Sequence, residues 1–157
     1  MSEFQLYFTE GLHHILDTNA YDHLLFVMVL CAIYAVHDWK KILILVTAFT
    51  VGHSITLALS TLRIVTIKVE LIEFLIPLTI FVTAVLNLFK KEERMYTSKR
   101  MVRSNYLLAL FFGLIHGMGF SNYLRMLLGK EKSIFTPLLS FNIGLEVGQL
   151  IIVAIFM

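Results

Sequence analysis

A single cysteine, Cys31, stands in the 157-residue chain, so no internal disulfide can form and no cysteine-based zinc framework can be built. Within its apolar run Cys31 reads as a small buried hydrophobe. Charge is also scarce. Asp, Glu, Lys and Arg make up 15% of the residues, against roughly 25% in a typical soluble domain. Neither sign dominates, since 13 Lys and Arg face 11 Asp and Glu for a formal net charge of +2. No basic stripe alternates with aromatics, which excludes a nucleic-acid module. A Gly-rich phosphate loop is missing, so the chain offers no ATP site of its own, and no H-E-x-x-H pair occurs. The first residues, MSEFQLYFTEG, hold two acids and no Lys or Arg, unlike the basic head of a secretory signal.

Apolar material fills the space that charge leaves. Hydrophobic residues are 58% of the chain and aromatics 13%, with a mean hydropathy of +0.81. This excludes disorder, and a soluble enzyme of this size could not bury so much apolar surface. The composition predicts an integral membrane protein whose first partner is the lipid bilayer. Five apolar stretches, at 21–36, 42–62, 71–89, 106–128 and 134–157, are separated by short polar breaks. Crossing a bilayer takes about 20 residues, and the last four stretches meet that length directly. Before them, Phe4, Phe8, Leu12 and Ile15 recur at helical spacing. The expected fold is all-α: a single transmembrane domain over 1–157, with five spans and an N-terminal amphipathic or re-entrant helix. The last stretch ends on Ile155, Phe156 and Met157 without a polar flank, so a further C-terminal segment is expected.

Basic residues set the expected orientation. With the N-terminus outside, Lys40 and Lys41 fall inside, together with Lys90, Lys91, Arg94, Lys99, Arg100 and Arg103 of the 90–104 loop. Arg63, Lys68, Arg125, Lys130 and Lys132 fall outside. Eight against five favours an external N-terminus and a cytoplasmic 90–104 loop in the inner membrane of the cell.

Ionisable groups inside a span cost several kcal/mol unless they face protein, water or a ligand. Four clusters therefore stand out. GLHHILDTNAYDHLLF carries His13, His14, Asp17, Asp22 and His23, more than a helix cap at Asp22 requires. FTVGHSITL puts His53 near the middle of a span, with Thr50 and Thr56 on its face and Ser54 beside it. FGLIHGMGF sets His116 among Gly113, Gly117 and Gly119, the first two a G-x-x-x-G pair that permits close helix approach. FNIGLEVGQ aligns Asn142, Glu146 and Gln149 on one face and adds the pair Gly144 and Gly148. Glu70 and Glu73 open the third stretch, Glu73 the deeper, with Pro77 one turn beyond.

Together His23, His53 and His116 with Asp22, Glu73 and Glu146 form a donor set suited to borderline metals. Thr50, Ser54, Asn142 and Gln149 are the candidate supports for the second ring nitrogens. At these residues the chain resembles the HupE/UreJ family, commonly regarded as nickel or cobalt permeases. The resemblance runs from about Gly11 to Gln149 and is most continuous over FTVGHSITL, FGLIHGMGF and FNIGLEVGQ. It implies functional positions at His14, Asp22, His23, His53, Glu73, His116, Asn142 and Glu146, and a nickel or cobalt ion as what they bind. The spacer LDTNAY is about two residues longer than the family pattern, and Ala20 stands where the family has Gly.

Three functions compete at this stage. A permease would take nickel or cobalt through the His13–His23 region to a midplane site. An intramembrane zinc hydrolase would hold zinc on His23, His53 and His116 and activate water with Asp22, Glu73 or Glu146. A sensor, assembly factor or structural subunit would use the same groups for interhelical hydrogen bonds; a homo-oligomer is open to the chain under any of the three.

Overall fold

A backbone placed in hydrocarbon must close its hydrogen bonds within each segment, and the chain does so by folding into helices. The computed structural model describes residues 2–17, 21–89, 99–129 and 133–156. Among them lie α1 (Glu3–Leu16), α2 (Tyr21–Cys31), a 3₁₀ turn (Val36–Asp38), α3 (Trp39–Thr61), α4 (Val69–Leu88), α5 (Lys99–Gly119), α6 (Ser121–Leu128) and α7 (Phe135–Phe156), and no strand. The start of α1 is fixed by a reciprocal cap. Ser2 Oγ accepts from Gln5 N at 3.2 Å, and Gln5 Oε1 accepts from Ser2 N at 3.0 Å.

The expected five spans are reproduced only in part. Trp39–Thr61, Val69–Leu88 and Phe135–Phe156 are each long and apolar enough to cross a membrane. The fourth expected span is broken: Asn105–Gly119 and Ser121–Leu128 qualify only as a pair, bent by 50°. The first expected span stops at Cys31, an 11-residue helix of about 16 Å at 1.5 Å per residue, too short to cross by itself. Most of the basic 90–104 loop, residues 90–98, lies outside the described residues, and α5 has begun by Lys99.

Glycines decide how the helices meet. Of the helically spaced Phe4, Phe8, Leu12 and Ile15, only Ile15 is fully buried in α1, with Phe8 and Leu12 half-buried. Its buried residues are Tyr7, Gly11 and Ile15, while Phe4 is 44% exposed. Gly11 explains the choice, because a Cβ there would collide with the Phe141 carbonyl of α7, and one at Gly144 would collide with the Phe8 carbonyl of α1. The same contact recurs between α3 and α5, where Gly52 abuts the Leu110 carbonyl and Gly113 the Phe49 carbonyl. In all four cases the carbonyl belongs to the residue three before the partner glycine. Later glycines extend each seam in the same order, Gly148 against Ile15 and Gly117 against Thr56, so each pair runs parallel. Small residues admit backbone approach of this kind where lipid supplies no hydrophobic drive. The sequence shows no repeat, yet the packing contains one.

The remaining helices enclose the centre. Phe26, Leu30, Leu45, Phe49, Ala109 and Phe112 form one buried cluster at the meeting of α2, α3 and α5. Helix α4 is peripheral, burying Ile72, Thr79 and Thr83 while Phe74 and Phe81 face outward. Its threonines satisfy themselves by donating to the Ile76 and Thr79 carbonyls at 2.7 Å each.

Candidate metal centre

Four helices each bring one imidazole into a buried cluster, in which His14, His23 and His53 converge and His116 adjoins His23. His14 ends α1, His23 lies in the first turn of α2, His53 sits mid-way along α3, and His116 stands one turn before the end of α5. The seams just described place them: Gly52 and Gly113 seat α3 on α5, and Gly11 and Gly144 seat α1 on α7. His14 and His23 have ring centroids 4.6 Å apart, His23 and His116 5.3 Å, and His53 lies 6.3 Å from both His14 and His23. One ring nitrogen from each of His14, His23 and His53 falls within 4.8 Å of the others. A metal ion bound at about 2.0–2.1 Å to each nitrogen would draw them closer by small side-chain rotations.

Hydrogen bonding separates this cluster from an ordinary polar core. Buried imidazoles normally find partners for their ring nitrogens. Here His14 Nε2, both nitrogens of His23, both of His53 and His116 Nε2 are buried without one. His116 is the informative exception, because its Nδ1 lies 2.8 Å from the Phe112 carbonyl. A carbonyl only accepts, so Nδ1–H donates and the Nε2 lone pair of the neutral ring is left for a ligand. Asn142 lies beside His53; its Nδ2 donates to the Leu138 carbonyl at 2.7 Å and its Oδ1 has no well-formed hydrogen bond.

Aromatic rings line the cluster. Phe49 and Phe141 stack on either side of His53 at 6.1 and 6.3 Å, Phe26 and Phe49 each lie 5.2 Å from His116, and Phe120 is 4.0 Å from His14. Sequence reasoning missed these walls, though a signal existed. Phe49 precedes His53 by four residues on α3, which is same-face helical spacing.

The carboxylates divide into two groups. Asp22 and Glu73 line a cavity of about 230 Å³ that reaches His14, His23 and His116. Glu146 is not brought to the imidazoles; it accepts from Thr47 Oγ1 at 2.7 Å across the α3–α7 seam. Its neighbour Gln149 accepts from Thr50 Oγ1 at 2.9 Å, and Ser54 donates to the Thr50 carbonyl at 2.6 Å. Thr50 and Gln149 therefore hold the α3–α7 seam, Ser54 is satisfied within α3, and none of the three hydrogen-bonds an imidazole nitrogen. His13 is exposed and lines a second cavity with Glu10, Asp17 and Tyr123. His14 and Phe120 border both cavities.

Apolar helices packed around buried imidazoles define an integral membrane protein whose centre carries a donor set of the kind that suits a metal ion. The family model for HupE / UreJ protein matches residues 1–157, the whole chain, and the chain belongs to that family. No curated protein and no solved structure matches it.

Proposed function

We propose that this chain is a membrane permease for a divalent transition metal, nickel or cobalt, with His14, His23, His53 and His116 as the intramembrane site. The observation that carries this reading is the set of six buried imidazole nitrogens, on four helices, without a well-formed hydrogen bond among the described residues, Asn142 standing near those of His53. Leaving such groups unpaired costs roughly 1–3 kcal/mol each, a cost that a metal ligand role explains and a hydrogen-bonded network does not. Neutral imidazole suits nickel and cobalt. Asp22 and Glu73, on the cavity wall, supply negative charge along the approach. The charge count along the sequence puts the cavity mouth and the His13–His23 region on the outer face, with the basic 90–104 segment in the cytoplasm. Glycine-seated helix pairs would slide or rock to release the ion on the far side.

Uptake of radioactive nickel and cobalt into proteoliposomes tests the reading. Wild-type protein is expected to accumulate the ion, and His53→Ala and His116→Ala to abolish uptake; flux unchanged in both variants would overturn it.

A further inference from the structure

Arg125, which reads in the sequence as a topology-marking surface charge, lines the same cavity as the imidazoles. Among the described residues the charged groups lining the cavity are Asp22, Glu73 and Arg125. The guanidinium donates to Asn122 Oδ1, one turn earlier on α6. Among the described residues the salt bridges involve only Asp38 with His37 and Lys41, so Arg125 is paired with neither carboxylate. A path meant for a bare dication gains nothing from a fixed positive charge. A guanidinium is instead suited to grip a carboxylate in its planar fork.

Size and charge agree on what would use that fork. The cavity holds about 230 Å³, many times the roughly 10–15 Å³ that one water requires, so it has room for far more than an ion. With neutral imidazoles its formal charge is −1, from two carboxylates and one guanidinium. A dication alone would leave +1, whereas a dication carried by one monoanionic chelator, itself +1, leaves zero.

We infer that the substrate reaches the histidines as a complex of the metal with a small carboxylate-bearing chelator of the amino-acid class, its carboxylate held by Arg125. The imidazoles then bind the ion by displacing coordinated water, which leaves to the cavity. The chelator stays on the ion with its carboxylate on Arg125, and no oxidation state changes. This inference rests on the metal reading above.

Equilibrium dialysis of the purified protein tests it without requiring transport. The probes are nickel alone, nickel with one equivalent of ¹⁴C-histidine, and nickel with ¹⁴C-histamine, which offers an imidazole and an amine but no carboxylate. Wild type is expected to retain histidine only when nickel is present, near one per nickel, and to retain at least tenfold less histamine. Arg125→Gln is expected to hold nickel alone at least as well as wild type, which also reports that it is folded, while retaining at least tenfold less histidine. Wild type failing to retain histidine, Arg125→Gln retaining it fully, or histamine binding as well as histidine would each overturn the inference with nickel binding intact. If wild type holds nickel in no form, the metal reading itself falls, and this inference with it.

Discussion

His116 Nδ1 stands 2.8 Å from the carbonyl of Phe112, one helical turn earlier, and that contact decides which ring nitrogen is available to a ligand. Only Nε2 remains. An amide placed where Nε2 was should therefore preserve more binding than one placed where Nδ1 was. His116→Gln is expected to keep more nickel than His116→Asn, and His116→Ala to lose at least tenfold in affinity. Elemental analysis of the purified variants measures this. Equal loss in Gln and Asn variants would mean that Nδ1, freed from Phe112, does the binding.

Glu73 and Glu146 give a second contrast. Glu73 lines the cavity, whereas Glu146 is occupied by Thr47. Glu73→Gln is expected to slow nickel uptake several-fold, and Glu146→Gln to leave nickel affinity within twofold. Titration with nickel, alongside the uptake assay, separates the two.

Gly113 and Gly119 lie six residues apart on one helix but are not equivalent. A Cβ at Gly113 would strike the Phe49 carbonyl, while one at Gly119 would meet only Ile72 Cγ2 at 3.3 Å and Ile76 Cδ1 at 3.5 Å. Overpacking against backbone costs about 1–3 kcal/mol. Gly113→Ala should lower the melting temperature in detergent and reduce bound nickel, because the α3–α5 seam also places His53 and His116. Gly119→Ala should melt close to wild type.

Asp38, in the turn before α3, accepts a 2.7 Å hydrogen bond from Lys41 Nζ. That bond, with the Lys41 charge, holds the Asp38 carboxyl below its ordinary value of 3.8. A depressed carboxyl stabilises the fold above its unfolded pKa, and the contribution is lost as pH falls through the folded pKa. The difference in melting temperature between wild type and Asp38→Asn should therefore be constant near neutrality and shrink below about pH 4. A difference that stays flat to pH 3 would show that Lys41 does not couple to the fold.

Much of the site was visible in the residues. An imidazole in a span is conspicuous because hydrocarbon penalises it, so His23, His53 and His116 stood out before any geometry was known, and His14 through its polar cluster and the family resemblance. Glu146 stood out for the same reason, yet it bonds Thr47. Sequence spacing fixes a side chain's face on its own helix but not which neighbour that face meets. The Phe120 bend was hidden for a similar reason: 106–128 is apolar enough to span, and composition does not reveal where a helix turns by 50°.

The sequence by itself determined the apolar surroundings, the helical class and the residue types of the candidate site, because these follow from hydropathy, run length and the cost of burying charge. Only the tertiary structure decided that four imidazoles from four helices meet, that Gly11, Gly52, Gly113 and Gly144 serve two equivalent seams, and that Arg125 turns into the cavity. Each of these depends on contacts between residues far apart in the chain. Such contacts arise from helix-to-helix packing, which no local pattern encodes.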